Sequence, residues 1–346
     1  MTRTPGSTPS LLLVSPAFHG YHRSIAGAFE RRGYAVNTHC YDHYDSPAAK
    51  ARNKVVHELP ARLGLARFSL GGDAAARAWA SERTLRVIRD VRPDRLVVIK
   101  GDSLDDRVWD ELRTCRIPTM LWLYDDLHRQ DHSLDLLREV GTVLSYSEHE
   151  TGVLAEAGVD AHFVPNAFDP HLAAPPTVRR DHVVFVGAHY PNRERLLLDV
   201  QRAGVPVRTW GRGWSHHPVD RLRTWRWARP GLPAERDIPL TEAYRVQAEG
   251  LLAVNVHGEQ TGLSMRTFEV PGTGGLQAVD RPDVSRFYDV GTETLLYRDA
   301  EELAALAQRA RTDTAWAEGI RERGRRRSLA EHTFDHRVAQ IEEYWQ

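Results

Sequence analysis

Short apolar runs recur along the chain, each followed by a turn and then by residues with helical spacing. The runs are Leu11–Val14, Leu96–Ile99, Thr119–Leu123, Val143–Tyr146, Val183–Val186, Val205–Val207, Leu251–Val256, Leu276–Val279 and Thr294–Tyr297. Each has strand length, and several are apolar throughout, as parallel strands buried on both faces require. Between them lie helical stretches, among them Ile25–Arg32, Ala74–Val91, Glu194–Ala203 and Ala300–Ala310. Gly33 and Gly204 fall where a helix terminator with positive φ is wanted. The alternation predicts an α/β doubly wound architecture.

The pattern breaks at Asp169–Asp181, where paired prolines and the absence of a hydrophobic period predict a linker. The expected organisation is an N-terminal Rossmann-like domain over residues 1–168, the linker over 169–181 and a second Rossmann-like domain over 182–330. A helix over 331–346, with apolar spacing at Phe334, Val338 and Ile341, is expected to cross back to the first domain. Two such domains would leave a cleft, with ligands beyond the carboxyl ends of the strands. Gly211–Leu240 holds Trp214, Trp225 and Trp227 among many arginines. It is too long for an ordinary loop and predicts a functional or locally helical segment.

Composition narrows the classes. The 346 residues favour two domains. The net charge of −1 gives no overall field that selects nucleic acid. Lysine occurs only at Lys50, Lys54 and Lys100, the remaining cations being arginines balanced by acids. Cys40 and Cys115 lack partners at metal-site spacing and read as reduced structural thiols. Residues 1–10 are polar, and no apolar run approaches the ~20 residues of a membrane span. A cytoplasmic protein without an integral membrane segment is expected.

The strongest chemical signal is Gly262–Leu263–Ser264–Met265–Arg266–Thr267–Phe268–Glu269, which follows an apolar strand. A strand, a glycine-containing loop and a helix start make an anion site, because backbone N–H groups and the helix dipole point at the ligand. Arg266 adds a forked cation for a diphosphate. Glu269, one turn on, is placed to accept both hydroxyls of a ribose. A plain surface ion pair between the two is the alternative.

From about Asp181 to its end the chain resembles the CgeB-like glycosyltransferases. The likeness rests on Val184–Gly187 with Tyr190, Pro191 and Arg193; on Trp210–Trp214; on Asn255–His257; and on Met265–Glu269 with Gly274. It continues through Phe287, Gly291–Glu293, Glu301–Leu303 and Glu331–Arg337. In the first half, Ser145–Ser147 and Val164–Ala167 resemble the corresponding domain of GT-B glycosyltransferases. The resemblance implies a GT-B fold, with two Rossmann-like domains facing each other across a cleft. It implies transfer of a sugar from a nucleoside-diphosphate sugar to a small-molecule or glycan acceptor, without metal and with no cofactor beyond the donor. It assigns the donor to Gly187, Arg193, Trp214, His257, Gly262, Met265, Arg266, Thr267 and Glu269. Many retaining relatives carry an earlier glutamate as well; that position is Thr261 here, with Glu259 the nearest acid upstream. A GT-B sugar-nucleotide epimerase and a non-catalytic GT-B binding module are the alternative functions.

The first domain is expected to supply the acceptor site and any base. His19 and His22 follow the first strand, and Asp125–Asp126 ends the strand Met120–Tyr124. A histidine held by an aspartate suits deprotonation of a hydroxyl near neutral pH. The expected catalytic residues are Asp125, Asp126 and His19, with His22, Lys100 and Asp102 at the acceptor. The acidic doublet also admits a metal-binding reading, which the two-domain pattern disfavours.

Overall fold

The computed structural model describes residues 8–42 and 72–345, apart from residues 175 and 177; the polar start of the chain up to Ser7 lies outside the described residues. The chain divides into two compact units, Met1–Pro165 with Val338–Gln346, and Asn166–Arg337.

The first unit holds a six-stranded sheet of β1 (Ser10–Ser15), β2 (Ala35–Cys40), β3 (Arg95–Ile99), β4 (Thr119–Trp122), β5 (Thr142–Ser145) and β6 (Ala161–Phe163). All pairs are parallel, in the order β2-β1-β3-β4-β5-β6. Its helices are α1 (Tyr21–Arg31), α2 (Gly72–Val91), α3 (Asp106–Cys115), α4 (Leu134–Glu139) and α5 (Glu148–Glu156). Leu11–Val14, Leu96, Val97, Leu121 and Val143 are fully buried, as strands covered on both faces must be. Each such aliphatic side chain contributes roughly 1.5–3 kcal/mol of burial.

The second unit repeats the design with β7 (Val183–Val186), β8 (Val207–Trp210), β9 (Ala234–Glu235), β10 (Leu252–Asn255), β11 (Gln277–Val279) and β12 (Leu295–Leu296). Its helices are α6 (Pro191–Arg202), α7 (Pro218–Thr224), α8 (Leu240–Glu249), α9 (Arg266–Gly272), α10 (Ala300–Thr312) and α11 (Thr314–Glu331). A final helix, α12 (Phe334–Glu343), follows. The strand order is β12-β11-β10-β7-β8-β9, again parallel throughout. The chain winds outward from β7 through β8 and β9, then returns to β10 and winds the other way. The crevice between β7 and β10 is therefore the switch point at which such sheets bind ligands.

Three strands, β2, β6 and β9, are absent from the apolar runs of the sequence. All three are edge strands, β2 and β6 at the two edges of the first sheet and β9 at one edge of the second. An edge strand needs no apolar coat on both faces, so Ala-Val-Asn-Thr-His-Cys pairs well while reading as polar. The run Val205–Val207 is displaced by Pro206, and pairing starts at Val207. The segment Gly211–Leu240 contains both α7 and β9.

The stretch Asp169–Asp181 carries no named helix or strand, yet it belongs to the second unit and is tied to it. Asp169 N–H donates to Tyr244 Oη (3.1 Å), and Arg179 donates to the carbonyls of Ala248 and Gly274 and pairs with Glu318. The helical pattern near the end is broken at His332–Thr333. There the backbone of Phe168 exchanges hydrogen bonds with His332 and Phe334, which takes those groups out of any helix.

Candidate active site

The β7–α6 turn opens with Gly187 at φ 155°, and a Cβ there would stand 2.9 Å from Arg266 Nη1. The guanidinium of Arg266 reaches the turn from the start of α9. Its Nη1 donates to Val186 O (3.2 Å), and its Cζ lies 5.7 Å from the Phe185 ring centroid. Gly211, ending β8 at φ 141°, approaches so closely that a Cβ would meet Gly187 O at 2.6 Å. Two glycines are thus required by contact as well as by dihedral angle. Among the described residues, the amides of Ala188 and His189 donate to no acceptor. Two amides beside a guanidinium at the switch point make a donor set for an anion.

A chain of buried polar groups runs beneath. Ser264 Oγ donates to Asn255 Oδ1 (2.9 Å), and Asn255 Nδ2 donates to Thr267 Oγ1 (2.9 Å). Thr267 then faces His257 Nε2 (3.4 Å), and His257 Nδ1 lies 2.7 Å from Asp280 Oδ1. The order of donors fixes the ring: Nδ1 carries the proton and gives it to the carboxylate, while Nε2 accepts from threonine. Burial pushes the His257 pKa down against the pull of Asp280. Burial opposes ionisation of Asp280, but the hydrogen bonds from His257 outweigh it and hold that carboxyl below its usual range. Arg281 secures the loop above by donating to the carbonyls of Gln260 and Thr261 and pairing with Asp283.

This geometry corrects several assignments. Trp214 is fully buried and donates its indole N–H to Gly187 O (2.9 Å), so no ring face is left for a nucleobase. It supports the turn from inside. Arg193 is 5% exposed and donates to Val256 O and Ala188 O, stapling the β7 and β10 loops together instead of reaching out to phosphate. His257 and Thr267 are buried in the polar chain and position the loop. Gly262 is buried, Met265 is half-buried, and Glu269 is 2% exposed on α9. That helix has seven residues, so its dipole is a smaller source of positive potential than the sequence suggests. His189 was missed: Nδ1 accepts from Arg226 (2.7 Å) and Nε2 donates to Glu194 (2.6 Å). Its only signal is its place two residues after the glycine that follows β7.

In the first unit, Asp125 lies 3.6 Å from Lys100 Nζ and 3.5 Å from Arg129 Nη1, and its Oδ1 accepts from the Asp126 amide. Lys100 also pairs with Asp102 (3.7 Å). Lys100, Asp102 and Asp125 each keep about a quarter of the side chain exposed. Asp126 is different. It is fully buried and accepts from Tyr146 Oη (2.6 Å), which makes it part of the scaffold. Burial and that hydrogen bond push the Tyr146 phenol well above its usual range. His132, also missed, donates from Nε2 to Lys100 O (2.7 Å), and burial lowers its pKa. His19 is exposed at φ 45°, and His22 is half-buried at the start of α1.

Comparison with known proteins agrees with this architecture. Residues 193–343 match the family described as glycosyl transferase-like. The chain is 19% identical over 233 residues to the spore protein CgeB of Bacillus subtilis, a match covering 60% of this chain and 70% of that protein. Sucrose-phosphate synthase from Thermosynechococcus elongatus superposes with a TM-score of 0.64 at 13% identity, covering 97% of this chain and 98% of the other. Anabaena HepE, solved with UDP and glucose, gives 0.62 at 12% identity, with coverage of 97% and 98%. The T4 phage β-glucosyltransferase, solved with its UDP-glucose substrate, gives 0.55 at 10% identity, covering 97% of each chain. These structures share the GT-B fold with this chain.

Proposed function

We propose, from its resemblance to the CgeB-like glycosyltransferases and its GT-B fold, that this protein transfers a sugar from a nucleoside diphosphate to a hydroxyl of a small molecule or glycan. One observation carries the donor assignment: Arg266 lies over Gly187 at the switch point of the second sheet. The diphosphate sits against the Arg266 guanidinium and the amides of Ala188 and His189. As the bond between the anomeric carbon and the diphosphate oxygen breaks, the leaving group gains negative charge. Fixed donors and a forked cation stabilise that charge more than they stabilise the intact donor, which is the condition for catalysis. No metal is needed for that step. The first unit supplies the acceptor side, with Asp125 taking the hydroxyl proton and Lys100 and Asp102 contacting the acceptor. Asp125 is preferred over Asp126 because part of its carboxylate is open to solvent. The protein works in the cytoplasm.

The test is titration calorimetry with UDP, GDP, dTDP and ADP, with and without EDTA, on the native chain and on Arg266→Ala. Binding of one nucleotide that survives EDTA and weakens in the variant supports the assignment. Equal affinity in the variant removes Arg266 from the donor site, and loss of binding in EDTA removes the metal-free step.

A further inference from the structure

We propose that the segment from His216 to Pro230 docks the second unit onto an anionic lipid bilayer. Four large apolar side chains stand exposed within nine residues: Val219 at 51%, Leu222 at 54%, Trp225 at 40% and Trp227 at 64%. Val219 and Leu222 are three apart on α7 and share one face of it. Arg221, Arg223, Arg226 and Arg229 are interleaved with them, and among the described residues none is paired with a carboxylate. The segment's one acid, Asp220, is buried and neutralised by Arg236 (2.9 Å). Neighbouring arginines behave otherwise: Arg208 pairs with Glu235, Arg212 with Asp237 and Arg245 with Glu242. The exposed patch is thus purely cationic as well as apolar.

Trp225 adds a conformational sign. It closes α7 at φ 53°, a left-handed geometry that aromatic residues seldom adopt. Interleaved tryptophan, arginine and aliphatic residues match the chemistry of a bilayer interface. Aromatic rings settle at headgroup level, aliphatic side chains enter the acyl boundary, and guanidinium groups meet phosphate. A polyanion such as RNA would reward the arginines but gives no reason to expose Val219 and Leu222. A seven-residue helix can only lie on such a surface, and no helix among the described residues is long and apolar enough to cross a membrane.

The segment is also wired to the Gly187 turn. Arg226 donates to His189 Nδ1, and Arg229 donates to the carbonyls of Arg212 (3.0 Å) and Gly213. Gly213 in turn packs against His189, where a Cβ would have no room. Docking therefore bears on the loop that holds the anion donors.

The experiment is sedimentation of the full chain with vesicles of phosphatidylcholine alone or mixed with phosphatidylglycerol, without donor or acceptor, so its result is independent of the transfer reading. Binding is expected on the anionic vesicles only, falling with salt. Arg221→Gln with Arg223→Gln should weaken it by roughly fivefold per arginine, about 25-fold together. Brominated acyl chains should quench tryptophan fluorescence, and Trp227→Phe, which keeps an apolar ring and the local fold, should reduce that quenching. Absence of vesicle binding, equal binding to neutral vesicles, unchanged affinity in the arginine variant or unchanged quenching in Trp227→Phe would each overturn the proposal. So would retention of single-stranded RNA in place of vesicles.

Discussion

The two sheets end in different kinds of chemistry. At the β7–β10 switch of the second unit the polar groups are buried, hydrogen-bonded in series and framed by glycines that tolerate no side chain. At the ends of β3 and β4 in the first unit, Lys100, Asp102, Asp125 and Arg129 form a loose set of ion pairs at 3.5–3.7 Å with partly exposed side chains. The first arrangement is fixed before a ligand arrives, which suits a constant group such as a diphosphate. The second keeps charged groups within reach of water, where partners and protons can be exchanged. Surface pairs of this kind add little stability, so they are not what holds the first unit together.

Breaking the rigid frame should have the largest effect. Gly211→Val drives a branched Cβ toward Gly187 O, which lies 2.6 Å away, and imposes a dihedral angle closed to valine. The expected cost is about 3–5 kcal/mol, from strain and overpacking together. Urea denaturation measures it. The control is Gly33→Ala in the first unit, at φ 91° with nothing within 4 Å of the added Cβ; its cost should be about 1 kcal/mol, from the dihedral angle alone.

Acid should act next, and on the second unit. His332 is 5% exposed; burial and then the charge of Arg337 hold its pKa at about 4, below the 6.5 of an ordinary imidazole. The unfolded chain takes up this proton as pH falls through 6.5, while the folded chain resists until about 4. Stability contributed by the neutral ring is thus complete above pH 6.5 and lost across that window, by up to about 3 kcal/mol. Denaturation curves at pH 7 and 4.5 test it, and His332→Gln should flatten the dependence. Unchanged pH dependence in that variant would assign the acid sensitivity elsewhere.

The two carboxylates at the end of β4 should then separate. Asp125→Asn is expected to lower turnover by about 100-fold, equivalent to ~2.7 kcal/mol on the barrier, with the melting temperature and nucleotide affinity kept. Asp126→Asn should instead lower the melting temperature, because the Tyr146 hydroxyl loses a charged acceptor. Full turnover in Asp125→Asn would make that cluster scaffold too. The smallest effect is expected for Arg266→Ala: about 2 kcal/mol of nucleotide affinity, near 30-fold, with little change in melting. Arg266→Lys should recover only part of it, since an ammonium keeps the charge and loses the fork.

Much of the fold was legible along the chain. Leu11–Val14, Leu96–Ile99 and Val183–Val186 announce buried parallel strands because both of their faces must be apolar, and a run of four such residues says so locally. The strand, loop and helix start around Arg266 were legible for a similar reason, since that succession is written in consecutive residues, but the glycine that Arg266 meets, Gly187, lies on another strand's turn. The edge strands β2 and β9 were not, because half their surroundings are solvent and their composition is that of a loop. Arg193, Trp214, His257 and Asp126 illustrate the other limit. Their residue types fit a ligand site, and only burial and partners reveal that each is spent within the protein. His189, Asp280 and Arg281 were missed because the partners that give them a role there, Arg226, His257 and Gln260, are 37, 23 and 21 residues away in the chain.

The sequence alone determined the α/β alternation, the strand–loop–helix that carries Arg266 and the basic, tryptophan-bearing segment after β8. Periodicity and neighbouring residues are local properties, and local pattern specifies them. Tertiary structure decided which polar side chains remain available. A hydrogen bond between residues distant in the chain satisfies a group and removes it from solvent at once, and no spacing along the sequence records that it has happened.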